Sequence, residues 1–152
     1  MASTGPDLLQ HRVARAGAWL FAVGILTGLW AGVVLTETVV VAIPRLALAA
    51  HLTGILGGLW LIAVAATLDR MRYGLAGRRR LAIIVAVATW ANWLITLIAS
   101  GLGVRGLEYT ADVRNNVIAV LLDLFVVLPS LVAAFAWAWG FGGLARPRDP
   151  TD

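Results

Sequence analysis

Polar residues in this chain cluster in a few short stretches, and four long apolar runs lie between them. The runs extend from about Ala16 to Leu35, Leu46 to Leu68, Leu81 to Leu102 and Val117 to Phe141. Each supplies the roughly 20 apolar residues that a helix needs to cross hydrocarbon. None alternates apolar and polar residues as a barrel strand would. Lipid admits only helices and closed barrels, because every backbone N–H and C=O must find a partner within the protein. The pattern predicts an all-α fold, an integral membrane bundle of four transmembrane helices. Residues 16–141 form the bundle; residues 1–15 and 142–152 are read as short cytoplasmic tails.

Composition agrees. Hydrophobic residues make up 61% of 152, and the mean hydropathy is +0.88. A soluble domain of this size keeps too much surface exposed to hide that apolar fraction. The first run is too long for the apolar core of a cleaved signal peptide, so none is expected. Cysteine is absent, which removes disulfides and thiolate ligands from consideration.

Charge adds orientation. The net charge is +4, and all twelve side chains counted as Lys or Arg are Arg. They flank the apolar runs, so the basic balance points to the membrane surface, and no nucleic-acid partner is expected. Arg12 and Arg15 precede the first run, Arg70, Arg72, Arg78, Arg79 and Arg80 separate the second from the third, and Arg146 and Arg148 follow the fourth. The opposite side has Arg45, Arg105 and Arg114 beside Glu37, Glu108 and Asp112. The positive-inside rule therefore places both termini in the cytoplasm. Arg78, Arg79 and Arg80 read as topology anchors. The outer loop, about Gly103 to Asn116, is long enough to lid that face. Its Tyr109 and Asn115 read as an interfacial aromatic and a helix cap.

Three polar side chains lie within the spans: His51, Asn92 and Asp123. Such groups are costly in hydrocarbon and mark functional sites. With helices two and four running inward and helix three outward, His51, Thr96 and Asp123 fall in one layer. At 1.5 Å per residue it lies roughly 8–9 Å below the outer boundary. Asn92 is one turn deeper.

Gly54 and Gly58 follow His51 at i+3 and i+7 and share its face, with Gly57 beside them. Two readings stand at this point. A flat macrocycle could lie on that bare surface with its iron on the imidazole. Alternatively, Gly54 and Gly58 form a small-xxx-small pair that packs against another helix. Gly24, Gly28 and Gly32 on the first helix read as packing. Trp90 and Trp93 lie deeper than an aromatic belt, as core or as pocket wall. Asn92 serves equally as a ligand-facing group or as interhelical glue. Asp123 reads first as an interhelical hydrogen-bond group, and alternatively as a general base or a partner for His51. There is no phosphate loop, Ser/His/Asp set or HExxH motif. The other histidine, His11, lies outside the spans, so a two-histidine haem within one chain is not expected; a bound haem would have one axial position open or filled by another subunit.

Two segments carry a resemblance. Pro44-Arg-Leu-Ala-Leu-Ala-Ala-His-Leu-Thr-Gly-Ile-Leu-Gly-Gly-Leu59 and Trp90-Ala-Asn-Trp-Leu-Ile-Thr96 resemble hydroxylaminobenzene mutase and its relative styrene oxide isomerase. His11-Arg-Val-Ala-Arg-Ala-Gly and the Leu26-Thr-Gly turn also fit the mutases. The resemblance implies a small membrane enzyme of the bacterial cytoplasmic membrane that catalyses a redox-neutral rearrangement. It implies a homotrimer with haem b between subunits, ferric and acting as a Lewis acid on the oxygen of a small apolar aromatic substrate. His51 would ligate the iron, Gly54 and Gly58 would line the cofactor, and Asn92, Thr96 and Asp123 would be catalytic. Three positions depart from the family pattern. Gly57 stands where both branches have Asn, Thr53 where the mutases often have an acid, and Thr96 where the isomerases have Tyr. The Thr96 difference favours an aryl hydroxylamine over an epoxide as substrate. The alternatives are an epoxide-to-aldehyde isomerase and a non-catalytic haem-binding membrane protein.

Overall fold

A computed structural model describes residues 5–142 of the chain. Helix α1 runs Gly5–Leu35, α2 Pro44–Thr67 with a 3-10 turn Leu68–Arg70, and α3 Leu75–Leu102. The fourth span is α4 (Val113–Leu122), a π turn (Asp123–Val127) and α5 (Leu128–Gly140). Four helical segments, Leu8–Leu35, Pro44–Arg70, Leu75–Leu102 and Val113–Gly140, are long and apolar enough to span a bilayer. At 28 residues a helix is about 42 Å long, more than the hydrocarbon alone requires. The fold is the expected all-α four-span bundle, a multi-pass membrane protein.

One boundary differs from expectation. Helix α1 is already formed at Gly5, the first described residue, inside the stretch read as an N-terminal tail. The apolar run marks where lipid begins, not the extent of the helix, and Leu9 and Val13 give the polar extension apolar side chains to pack. Residues 143–152, including Arg146 and Arg148, lie outside the described residues.

The packing order is sequential. Helix α1 lies along α2, α2 along α3, and the fourth span chiefly along α3. Glycine makes the first interface close. A Cβ at Gly24 would come within 2.6 Å of the Gly54 backbone, and one at Gly58 within 2.6 Å of the Phe21 nitrogen. Small residues let the two backbones meet, which is how helices gain dispersion contact in lipid. Leu20, Leu61, Val64, Leu68 and Val85 complete the core with almost no exposure. Leu29, Phe135 and Trp139 face outward, as lipid-contacting side chains should.

Three hydroxyl relays bind the spans together. Trp93 Nε1 donates to Thr27 Oγ1 at 3.0 Å, Trp30 Nε1 to Ser100 Oγ at 3.1 Å, and Trp137 Nε1 to Thr67 Oγ1 at 3.0 Å. Each hydroxyl in turn donates to a carbonyl of its own helix: Val23, Leu97 and Ala63 respectively. No indole N–H is left unpaired in the interior, where that would cost most. Trp90 and Trp93 pack edge to face, with ring centroids 5.8 Å apart, and pack against the core; of the two readings for this pair, core packing holds.

The π turn answers Pro129. Proline has no N–H, and its ring collides with the carbonyl four residues earlier in a regular helix. The wider turn just before it lets Leu128 N–H bond Asp123 O, five residues back.

At the inner end Arg78 is more than a surface anchor. Its Nε donates to Tyr73 O at 2.8 Å, and its Nη2 donates to Met71 O at 2.9 Å and Asp69 O at 3.1 Å. It holds the turn between α2 and α3. Arg72 lies over the Trp139 ring at 4.2 Å, and Tyr73 Oη donates to Ala136 O at 2.7 Å. These contacts dock the turn on the end of span four.

Candidate functional site

His51 is half-buried between α2 and α1. Its Nδ1 lies 2.7 Å from Gly24 O. A carbonyl can only accept, so Nδ1 carries the proton and Nε2 keeps its lone pair. The ring rests on Gly28, where a Cβ would come within 2.9 Å of Cε1 and 3.0 Å of Nδ1. Among the described residues Nε2 has no hydrogen-bond partner, and it is not sealed in the interior. One turn further along α1, a Cβ at Gly32 would meet nothing.

This changes the role of both glycine sets. Gly54 and Gly58 do not floor an open groove: they take the backbone of α1, and Gly54 also takes the Trp93 ring. The packing reading of that pair therefore holds, and no macrocycle can lie against α2 at Gly54 and Gly58. The stripe on α1, read as packing throughout, is packing only at Gly24. Gly28 is the seat of the imidazole, and Gly32 is open.

Asn92, Thr96 and Asp123 do come together. They line one cavity of about 310 Å3 with Leu46, Ala99, Val126 and the loop residues Arg105, Gly106 and Leu107. Thr96 Oγ1 donates to Asn92 Oδ1 over a long 3.4 Å. That bond directs the Asn92 amide N–H groups away from Thr96, and among the described residues they have no partner. Asp123 is exposed at the start of the π turn and forms no ion pair with any described residue. At membrane depth an amide donor and a carboxylate without partners are expensive; a substrate or a neighbouring copy would satisfy them.

A second cavity of about 320 Å3 adjoins it. Thr53, Leu56, Gly57, Trp60, Ala88, Thr89, Asn92 and Ser130 line it. Asn92 belongs to both cavities. A Cβ at Gly57 would lie 3.1 Å from Thr89 Cβ and 3.2 Å from Leu20 Cδ2, so an asparagine there would have to turn into this space.

The residues of the expected polar layer are divided between two faces of α2. Leu46 and Thr53 bracket His51 along α2 and line the two Asn92 cavities, while the His51 ring faces α1. Within one chain His51 does not meet Asn92, Thr96 or Asp123. Two lining residues escaped the sequence reading. Ser130 was a detectable signal, a hydroxyl inside the most apolar run. Arg105 was not, because only the fold of the outer loop carries it over the cavity. Of the loop residues considered, Tyr109 is exposed and lines neither cavity. Asn115 is buried and fixes the loop, accepting from Gly106 N at 2.8 Å and donating to Glu108 O.

The donor set suits one group better than another. Among the described residues no cluster of three or more His, Cys, Asp or Glu could cage a bare metal ion. A haem asks less of the protein: one neutral imidazole nitrogen, oriented by a hydrogen bond from the other, beside bare surface. His51, Gly24 and the Gly28–Gly32 stretch meet that description.

Comparison with known proteins identifies the family. Residues 9–142 match the family model described as styrene oxide isomerase. The chain is also 33% identical over 98 residues to hydroxylaminobenzene mutase HabB of Ectopseudomonas oleovorans, covering 64% of this chain and 56% of that protein. The chain thus spans little more than half the length of that curated relative. The match across all four spans is nonetheless decisive for kinship, and the chain belongs to the styrene oxide isomerase family.

Proposed function

We propose that the chain is a haem-dependent intramolecular mutase that converts an aryl hydroxylamine to an aminophenol. The reaction is an isomerisation: the N–O bond breaks, a ring C–O bond forms, and one proton leaves the ring as another reaches nitrogen. No oxidant or reductant is consumed. The observation that carries the reading is the His51 Nδ1–Gly24 O bond, which leaves the Nε2 lone pair of the neutral ring free to take a ligand.

Ferric haem b, when bound, supplies a Lewis acid for the substrate oxygen. Everything else falls to the chain. His51 would hold the iron, and the Gly24 carbonyl fixes its tautomer and raises its basicity. Asn92 Nδ2 donates to the hydroxylamine and orients it. Thr96 holds the Asn92 carbonyl and so keeps that amide turned to the substrate. The Asp123 carboxylate accepts the ring proton. The apolar walls exclude water, which would otherwise capture the activated ring.

His51 and the Asn92 cavities occupy different faces of one chain, so we propose that they join across a homo-oligomer, a trimer by family resemblance. The membrane is taken to be a bacterial cytoplasmic membrane with both termini inside. Apolar aromatic substrates would enter from the bilayer.

A second reading has its own support. The matched family model is that of styrene oxide isomerase, so epoxide-to-aldehyde isomerisation could use the same residues. The test is direct. Detergent-purified protein should show a Soret band that His51→Ala abolishes. An aryl hydroxylamine and an aryl epoxide are then offered anaerobically without reductant. Turnover of the first alone supports the mutase, and turnover of the second alone supports the isomerase. A Soret band with turnover of neither leaves a non-catalytic haem protein. Absence of the band, with an inert His51→Ala, ends the haem reading.

A further inference from the structure

In the sequence Arg78, Arg79 and Arg80 read as topology anchors. The structure separates them. Arg78 is engaged by the carbonyls of Tyr73, Met71 and Asp69, and Arg72 by the Trp139 ring. Arg79 takes another course. It lines a cavity of about 280 Å3 with Arg12, Leu8, Leu9 and Leu75. Arg12 and Arg79 are 67 positions apart in sequence (79 − 12) and lie on different helices. Anchoring a topology requires only that each sit near a helix end; it does not require that they converge.

We propose that this cavity binds an anionic glycerophospholipid, with the phosphate between Arg12 and Arg79 and an acyl chain along Leu8 and Leu75. Three observations bear on the occupant. Among the residues whose side chains are described, no acidic one lines the cavity, and neither arginine forms an ion pair with any of them. Helix α3 begins at this end and has no side-chain cap at its start, so the positive end of its dipole adds to the guanidinium charge. Leu8 and Leu75 are about half exposed and are the first residues of the two span-length helical segments. A free phosphate would satisfy the arginines but leave those leucines in water. A lipid satisfies both, and basic pockets between helices at the membrane surface favour anionic head groups.

The test uses the full chain in detergent, followed by tryptophan fluorescence on heating. Dioleoylphosphatidylglycerol should raise the midpoint by several degrees. Dioleoylphosphatidylcholine and inorganic phosphate, at equal concentration, should raise it far less. R12Q/R79Q should lose the phosphatidylglycerol increment, while Arg15→Gln, one turn from Arg12 and outside the cavity, keeps it. Equal shifts from the two lipids, an equal shift from inorganic phosphate, or an increment that survives in R12Q/R79Q would overturn the proposal. Lipid retention by the unmutated chain gives a reading that does not depend on the variants folding. After detergent washing from a mixed bilayer it should keep phosphatidylglycerol over phosphatidylcholine; equal retention, or loss of both, also overturns it.

Discussion

Trp93 Nε1 donates to Thr27 Oγ1 across 3.0 Å, joining α3 to α1 beside the turn that holds His51. Thr27 is buried and donates onward to Val23 O at 2.7 Å. The pair fixes α1 one turn from Gly24, the acceptor of the His51 proton. Thr27→Val keeps the shape and removes the acceptor, leaving an indole N–H unsatisfied in hydrocarbon. The expected loss is about 1 kcal/mol, read as a lower unfolding midpoint in detergent. Thr27→Ser should restore most of it. Equal stability of Thr27→Val and the parent would show that the relay is incidental.

The three glycines of α1 should respond in a graded way to alanine. At Gly24 the new Cβ meets Gly54 backbone at 2.6 Å, which cannot rotate away, so the helices must separate. The cost is about 1–3 kcal/mol for overpacking. At Gly28 the contact is the His51 ring at 2.9 Å. Gly28→Ala should therefore tilt the imidazole and weaken or shift the Soret band more than it lowers the unfolding midpoint. Gly32→Ala meets nothing and should be neutral in stability. A midpoint and a spectrum for each variant check the order, and a uniform response would refute it.

The sequence discloses the spans because lipid imposes one rule on every residue of a run. The four apolar stretches needed no tertiary knowledge, and His51, Asn92 and Asp123 stood out because charge and amide are expensive there. Facing was beyond reach. Gly54 and Gly58 share the face of His51 on α2, but whether that face meets a cofactor or a helix depends on α1, whose Gly24 and Phe21 backbones fill it. The imidazole seat at Gly28 belongs to another helix, and helical periodicity says nothing about pairs between helices. Arg105 shows the same limit. It reads as an outer-loop charge until the loop, held by Asn115, carries it over Asn92 and Asp123.

The start of α4 predicts a pH effect outside the membrane. Asp112 caps the helix, its carboxylate accepting from Arg114 N at 2.9 Å and from the Arg114 guanidinium at 3.2 Å. The Arg114 side chain, then its backbone N–H, hold the Asp112 pKa below the ordinary 3.8. A depressed folded-state pKa favours folding above the unfolded value, and that contribution disappears as pH falls through the folded one. The cap should therefore be intact at neutral pH and loosen only below about pH 4. The pair is solvent-exposed, so salt should weaken it. Protection of the Arg114 and Asn115 amides, taken relative to their intrinsic exchange rates at each pH, should fall at low pH in the parent. In Asp112→Ala it should be low at every pH, and an unchanged profile in that variant would contradict the capping role.

Asp123 offers the sharpest separation of chemistry from structure. It begins a π turn whose geometry follows from Pro129, so the backbone there does not depend on the carboxylate. It is exposed, forms no ion pair among the described residues, and lines the cavity shared by Asn92, Thr96 and Arg105. Asp123→Asn preserves shape and polarity but cannot accept a ring proton. The unfolding midpoint and any Soret band should be unchanged, while kcat on an aryl hydroxylamine falls roughly 10²- to 10⁴-fold, the range for loss of a general base. Interhelical glue predicts the reverse. Asparagine would keep activity, or the midpoint would fall in step with it, and either pattern would remove Asp123 from the reaction. Deuterating the position that receives the oxygen adds an independent check. If proton removal limits the variant's rate, its isotope effect should exceed that of the parent, and equal effects would place Asp123 elsewhere in the cycle.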